Sequence, residues 1–352
     1  MKEKNKVITL FSLAVIIPLL FTNCSTISYK EIYPTLQDGK YDSEFPYKGA
    51  SDELKDISQC VHRINSTVFY KTYRFDPAKM VTLEEIKELG IPELAFTEGF
   101  ADQSSGGTAV TIYFSDGRVA LLTCAHIVSY PDTIISFIKD ESGKSTNYLE
   151  SILIKEKQAV YAAGFPEGSE LEVLAIDKKN DLAVIGRYYS QLINKIFPVF
   201  NYPLGKAKDL DWGSFVYSFG YPMNNQMVTK AIVSSPNKDG EGSFLIDAVI
   251  NKGFSGGIVL AIRDGVPNFE LVGIIQWVPG EEENVLVPEK LENDETYNSI
   301  VPYKGEEYVK RILSIRYGIA SVISIETVKD FITRNKDNLY KKKYYIDKFI
   351  ER

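Results

Sequence analysis

The chain has 352 residues, 44% hydrophobic and 25% charged, with 47 acidic against 40 basic side chains and a formal net charge of −7. That acidic balance disfavours nucleic acid as a partner, because phosphate-binding surfaces are basic. The length suits one sizeable core with decorations rather than two unrelated full-sized domains.

Residues 1–23 have the make-up of a targeting segment. Lys2, Lys4 and Lys6 form a basic start and Val7 to Phe21 an apolar run. Pro18 interrupts that run, which is short for a spanning helix of about twenty residues. It ends at Phe21-Thr22-Asn23-Cys24, a string that resembles a lipoprotein signal and would make Cys24 the lipidated N-terminus. Asn23 and Phe21 depart from the small residue and leucine usual there, so an uncleaved anchor or a cut elsewhere are the alternatives. Each of these readings places the main chain outside the cytoplasm. Residues 24–52, rich in Tyr, Pro, Gly and polar residues with little periodicity, read as a tether.

Ser66 to Arg74 is β-branched and aromatic, the pattern of a first strand. His62, just upstream in a polar stretch, is expected to be helical. Thr82-Leu83-Glu84-Glu85 has the capping-box pattern of a short helix. From Thr108 to Trp277 short strand-like runs alternate with turns such as Ser115-Asp116-Gly117 and Lys238-Asp239-Gly240, which argues for β-barrels rather than alternating β/α units. Pro279 to Ser314 carries Glu281-Glu282-Glu283 and Glu292-Asn293-Asp294-Glu295, and reads as a solvated loop, with a lid or an acidic rim as the alternatives. Ile325, Val328, Phe331 and Ile332 then recur at helical spacing. Residues 336–352 form a basic, aromatic tail that reads as a solvated helix end or a contact for anionic lipid.

Chemistry concentrates in Asn251-Lys252-Gly253-Phe254-Ser255-Gly256-Gly257. A serine among glycines can sit on a turn sharp enough to present its hydroxyl, with the amides of Gly253 and Ser255 aimed at one spot as an oxyanion hole. Ser-Gly-Gly is also an ordinary loop, so the heptad alone does not settle the matter. A serine nucleophile needs a base, and the chain has only two histidines. Of these, His126 ends an apolar strand, and Asp181 begins another in Asn180-Asp181-Leu182-Ala183-Val184-Ile185. Asp181 alone would be an ordinary turn aspartate at a strand entry. The histidines are far apart in sequence, so no spaced metal-ligand cluster is seen, and neither a metal nor a cofactor is expected. Cys60 and Cys124 could pair in an oxidising compartment, but spacing does not fix their distance. Cys124 is expected to be a buried small hydrophobe rather than a nucleophile.

The order His126, Asp181, Ser255 resembles the chymotrypsin-like serine peptidases. Further strings are similar to the bacterial HtrA (Deg) branch: Gly107-Thr108-Ala109-Val110-Thr111-Ile112 before the histidine, the hairpin Leu171 to Asp177 with its turn Lys178-Lys179-Asn180, Phe215 to Pro222, and Tyr317 to Ile332 at the close. The resemblance covers about Glu53 to Asn335, and Lys252 and Phe254 depart from the branch's usual proline and asparagine. It implies an all-β, two-barrel fold with a C-terminal helix over residues 53–335, the insertion at 279–314 included. It implies a serine endopeptidase with His126 as base, Asp181 orienting it, Ser255 as nucleophile and the Gly253 and Ser255 amides as oxyanion hole.

Leu271 to Val278 resembles the strand beside which substrate lies, which makes Gln276, Trp277 and Val278 candidate substrate contacts. Val249 aligns with the floor of the specificity pocket and Val278 with its wall, which implies cleavage after small aliphatic residues. HtrA proteins commonly continue into PDZ domains, for which too little chain follows residue 335. Polypeptides are the expected partners, with the membrane reached through the lipid; nothing in the sequence supports a homo-oligomer. The rival reading is a lipid-anchored pseudopeptidase that binds peptides or envelope proteins without cutting them, favoured by Phe254 and opposed by the intact triad. A purely structural lipoprotein would not require the triad.

Overall fold

The strand ladders begin as soon as the chain leaves a short helix, α1 (Ser51–Ser58). The computed structural model describes residues 34–166, 168–190, 196–277, 280–288, 300, 302–315 and 318–352. The expected tether up to residue 33, Cys24 included, and the targeting segment lie outside the described residues. Strand β1 (Val61–Arg74) turns Ile64, Ser66, Val68 and Tyr70 inward at the period of two that a one-face-buried strand requires. It starts earlier than Ser66, so His62 is in a strand and not a helix. There its Nε2 meets Thr111 Oγ1 at 2.9 Å and its ring stands edge-on to Phe165.

Helix α2 (Leu83–Leu89) follows with the expected capping box between Thr82 and Glu85, then the single turn α3 (Ile91–Leu94). Both cover a small satellite core of Tyr73, Phe75, Val81, Leu149 and Ile152. Strand β2 (Thr97–Ser115) runs back along the whole of β1. Asp116 and Gly117, both at positive φ, make the tight turn into β3 (Arg118–Thr123). The one-turn helix α4 (Ala125–Val128), then β4 (Thr133–Lys139), β5 (Ser145–Ala162), β6 (Glu172–Asp177) and β7 (Leu182–Tyr188) complete a seven-stranded sheet of order β4-β5-β1-β2-β3-β7-β6. It is a half-barrel rather than a closed one. The Leu171 amide, bonded to the Val160 carbonyl at 2.7 Å, and the Lys157–Glu170 ion pair at 3.9 Å tie the start of the β6 edge back to β5.

The second lobe closes fully: β8 (Phe215–Gly220), β9 (Met227–Ser235), β10 (Phe244–Asp247), β11 (Ile258–Ile262), β12 (Phe269–Trp277) and, after an excursion, β15 (Ala320–Ser324) form a barrel of order β10-β15-β12-β11-β8-β9. The excursion corrects the solvated-loop expectation for 279–314. Its described part is a hairpin of β13 (Gly280–Pro288) and β14 (Glu307–Ile315). Helix α5 (Ile325–Arg334) buries the expected stripe of Ile325, Val328, Phe331 and Ile332. The fold is therefore all-β in two lobes with C-terminal helices, as the resemblance implies.

The described part of the expected tether and the C-terminal tail both dock, where sequence suggested a tether and a solvated helix end or lipid contact. At the C-terminus α6 (Lys336–Lys341) and α7 (Asp347–Ile350) bury Leu339, Tyr344, Ile346 and Phe349. Asn338 Nδ2 donates to the Leu174 carbonyl at 3.0 Å, which covers the outer edge strand β6. At the N-terminus residues 39–47 bind the second lobe. Tyr41 OH donates to Glu270 at 2.6 Å, Arg263 donates to the Gly39 carbonyl at 2.6 Å, and the Asp42 amide bonds the Ile262 carbonyl at 2.9 Å.

Asp42 itself is 7% exposed; its Oδ2 accepts from the Gly265 amide while Oδ1 meets no donor among the described residues. Burial, helped by the charges of Glu44, Asp264 and Asp38, pushes its carboxyl up to about 6 against the pull of the Gly265 amide. An unfolded aspartate titrates near 3.8, so between these values the folded state keeps a proton that the unfolded state has lost. Stability falls as pH rises through that window and stays lower above it. Asp42→Asn has nothing to ionise, so its melting temperature should gain on the wild type between pH 4 and pH 8 in paired thermal scans. A gap that is constant with pH would count against the buried charge.

Candidate active site

The cleft between the lobes receives its residues from four separate places in the chain. β3 ends at Thr123, and Cys124 leads into α4, which carries His126. The β6–β7 turn carries Asp181 at a φ of +55°, a left-handed conformation that aspartate tolerates better than most residues. That turn is built by Asp177, whose carboxylate accepts from the Lys179 and Asn180 amides at 3.0 and 3.1 Å and from Arg334 of α5 at 2.9 Å. Burial opposes the Asp177 charge, but the Asn180 bonds and the Arg334 guanidinium outweigh it and hold the carboxyl below its ordinary value.

Asp181 grips His126 twice. Its Oδ1 accepts from the His126 backbone amide at 2.8 Å and its Oδ2 meets the ring Nδ1 at 2.8 Å. The Asp181 carbonyl also accepts from the Ala125 amide at 3.1 Å, a further tie between the turn and the start of α4. The His126 side chain is 44% exposed and that of Asp181 16%. Imidazole nitrogen Nε2 takes no hydrogen bond among the described residues.

Ser255 reaches the same place through its neighbours. Its carbonyl accepts from the Thr108 amide at 2.8 Å. Gly256, at a φ of +82°, packs so close to the Thr108 carbonyl and the Thr123 hydroxyl that a Cβ would collide with them, and its amide bonds the Ile275 carbonyl at 2.8 Å. The serine loop therefore rests directly on the segment that leads into His126. Gly253, at a φ of +110°, passes over the Tyr221 carbonyl where a side chain would clash. Thr108 pins this turn, its hydroxyl donating to the Gly253 carbonyl at 2.7 Å and accepting from the Tyr221 amide at 3.0 Å. The amides of Gly253 and Ser255 donate to nothing among the described residues. Two unspent donors on one turn are the requirement for holding an oxyanion.

Phe254 points down, not into the cleft. It is 1% exposed, and its ring fills the space that a Cβ on Gly220 would take. Gly220→Ala should therefore force the ring under the serine loop to move, costing about 1–3 kcal/mol in urea unfolding as overpacked cores do. Adding Phe254→Leu should recover part of that loss. Additive losses in the double variant would mean the two sites do not touch.

Cys60 and Cys124 are both buried and unpaired. Cys124 Sγ donates to the Ile275 carbonyl at 3.3 Å, and burial, with Asp181 beside it, pushes the thiol well above its ordinary value. A neutral thiol of that kind is no nucleophile. Val249 needs correction as a pocket floor: it stands 73% exposed, while Ala248 and Ile250 on either side take the buried positions. The expected preference for small aliphatic residues loses that support. Gln276 is half-buried and accepts from Ser321 Oγ at 3.4 Å. Trp277 pairs with Ser321 in the ladder, its side chain lying outside the described residues together with Val278. Thr108 and Asp177, which hold the serine and aspartate turns, were not singled out from sequence. Their signal was a polar residue opening an apolar strand in one case and closing one in the other.

Two β lobes with these residues at their junction define the chymotrypsin-like class of serine peptidase folds. Residues 107–274 match the trypsin-like peptidase domain family, which supports a serine peptidase of this class. No curated protein matches the chain.

Proposed function

We propose that the chain is an HtrA-like serine endopeptidase, lipid-anchored through Cys24 outside the cytoplasm, that cuts unfolded or envelope polypeptides with His126, Asp181 and Ser255. The double grip of Asp181 on His126 carries this reading, because it fixes the imidazole with Nδ1 as donor and leaves Nε2 to act as base. In the reaction His126 Nε2 takes the Ser255 hydroxyl proton as Oγ attacks the scissile carbonyl. The Gly253 and Ser255 amides hold the resulting oxyanion. His126 then gives the proton to the departing amine, and water repeats the sequence on the acyl-enzyme.

Labelling of the purified chain by a fluorophosphonate probe tests the site. Labelling that disappears in Ser255→Ala supports the enzyme; a wild-type chain that resists the probe supports the pseudopeptidase instead. Anchoring is tested separately. Cys24→Ala should move the chain from the membrane to the soluble fraction, and persistent membrane association would favour an uncleaved anchor.

A further inference from the structure

Cys124 has no part in the peptide-bond chemistry, yet it ends beside the residues that carry it. Its Sγ, an imidazole nitrogen of His126 and a carboxylate oxygen of Asp181 all lie within 4.8 Å of one another. One sulfur, one nitrogen and one oxygen at such range form a donor set suited to borderline-soft divalent ions. Sequence spacing concealed it, because the third donor arrives from a distant hairpin turn.

We propose that Cys124, His126 and Asp181 form an inhibitory site for a thiophilic divalent cation, zinc above all, that silences the peptidase. The inhibitory consequence rests on the peptidase reading; the binding does not. Zinc bonds of about 2.0–2.3 Å in a tetrahedron set ligands roughly 3.3–3.7 Å apart. Nδ1 and Oδ2, now at 2.8 Å, need only part slightly for an ion to take the place of the proton between them. The sulfur already lies against the Asp181 carboxylate and the Gly256 amide, and would leave its contact with the Ile275 carbonyl.

Charge also favours the site. A thiolate and a carboxylate neutralise the dication, so no net charge is left in a largely buried spot. Binding releases one proton to solvent, from the thiol, while the imidazole proton moves from Nδ1 to Nε2, and no oxidation state changes. The partly exposed His126 ring marks the side from which the ion enters and on which a water completes its coordination. With the ion on Nδ1, Nε2 carries the ring's proton and cannot take that of Ser255. Magnesium and calcium, which choose oxygen ligands, should not compete.

Cobalt titration of the full chain reads the binding through the charge-transfer absorption of a thiolate–cobalt bond. One equivalent should produce the band in the wild type, in Ser255→Ala and in Cys60→Ala, whose thiol is held by the Ile57 carbonyl. Cys124→Ala and Cys124→Ser should both lose it, the serine variant guarding against a simple packing defect, and zinc should bleach it. Zinc should also lower hydrolysis by at least about tenfold where magnesium does not. No band at saturating cobalt, or a band that survives both Cys124 substitutions, overturns the site. Hydrolysis untouched by saturating zinc overturns the inhibition. A band in a chain that hydrolyses nothing leaves the site standing and fails the peptidase reading alone.

Discussion

Ser255→Ala should abolish peptide hydrolysis, with turnover reduced by roughly 10⁶-fold, the scale on which removing a nucleophile or its base acts in serine peptidases. The change removes one oxygen from a half-buried side chain and leaves in place the main-chain bonds that shape the loop. The Thr108 amide still bonds the carbonyl at residue 255, Gly256 still bonds Ile275, and Thr108 Oγ1 still holds Gly253. Unfolding by urea should therefore be unchanged within a few tenths of a kcal/mol. His126→Ala should give a similar loss of turnover. Cleavage of an unfolded casein-like substrate by either variant at the wild-type rate would remove the mechanism. A loss of activity accompanied by unfolding would show instead that the hydroxyl or ring was structural.

Much of this site was legible before any fold was known, and the reason is local. Gly253-Phe254-Ser255-Gly256-Gly257 needs its glycines for backbone reasons that depend only on the turn, so the residue types betray it. The capping box at Thr82 and the stripe on α5 are likewise set by contacts within a few residues. What stayed hidden depends on partners far away in the chain. The terminal segments looked unstructured because a docked strap needs no periodicity of its own. Tyr41 is held by Glu270, and Tyr344 is buried beside Tyr113. Val249 was misplaced because counting back from the serine cannot tell which residue of Ala248, Val249 and Ile250 the strand end turns outward. Phe254 looked like a threat to the oxyanion loop because its receptor, the bare backbone of Gly220, lies on another strand.

The docked ends tie the two lobes to opposite termini. Residues 39–47 fasten the second lobe through Arg263, Glu270 and Ile262, whereas α6 and α7 fasten the half-barrel at β6. Arg334 of α5 links that clamp to the site, since its bond to Asp177 holds the turn on which Asp181 stands. The C-terminal helices thus complete the half-barrel on the side where its ladder is open, and they do so within reach of the orienting carboxylate.

Asp181→Asn tests that carboxylate without disturbing its shape. The His126 backbone amide can only donate, so the new side chain must turn its oxygen toward that amide to keep the 2.8 Å bond. Its NH₂ group then takes the place of Oδ2 and faces the ring nitrogen Nδ1. A donor there stabilises the tautomer in which Nδ1 accepts and Nε2 carries the proton, and an Nε2 already protonated cannot take the proton of Ser255. Turnover near neutral pH should fall by about 10⁴-fold while urea stability changes little. The Ala125 amide, bonded to the residue 181 carbonyl, should keep the turn in place. Fluorophosphonate labelling, which needs the same activated serine, should slow in proportion to peptide hydrolysis. A variant that hydrolyses peptides at more than about a tenth of the wild-type rate would mean that Asp181 only positions the backbone of His126 and that the imidazole is oriented by something else.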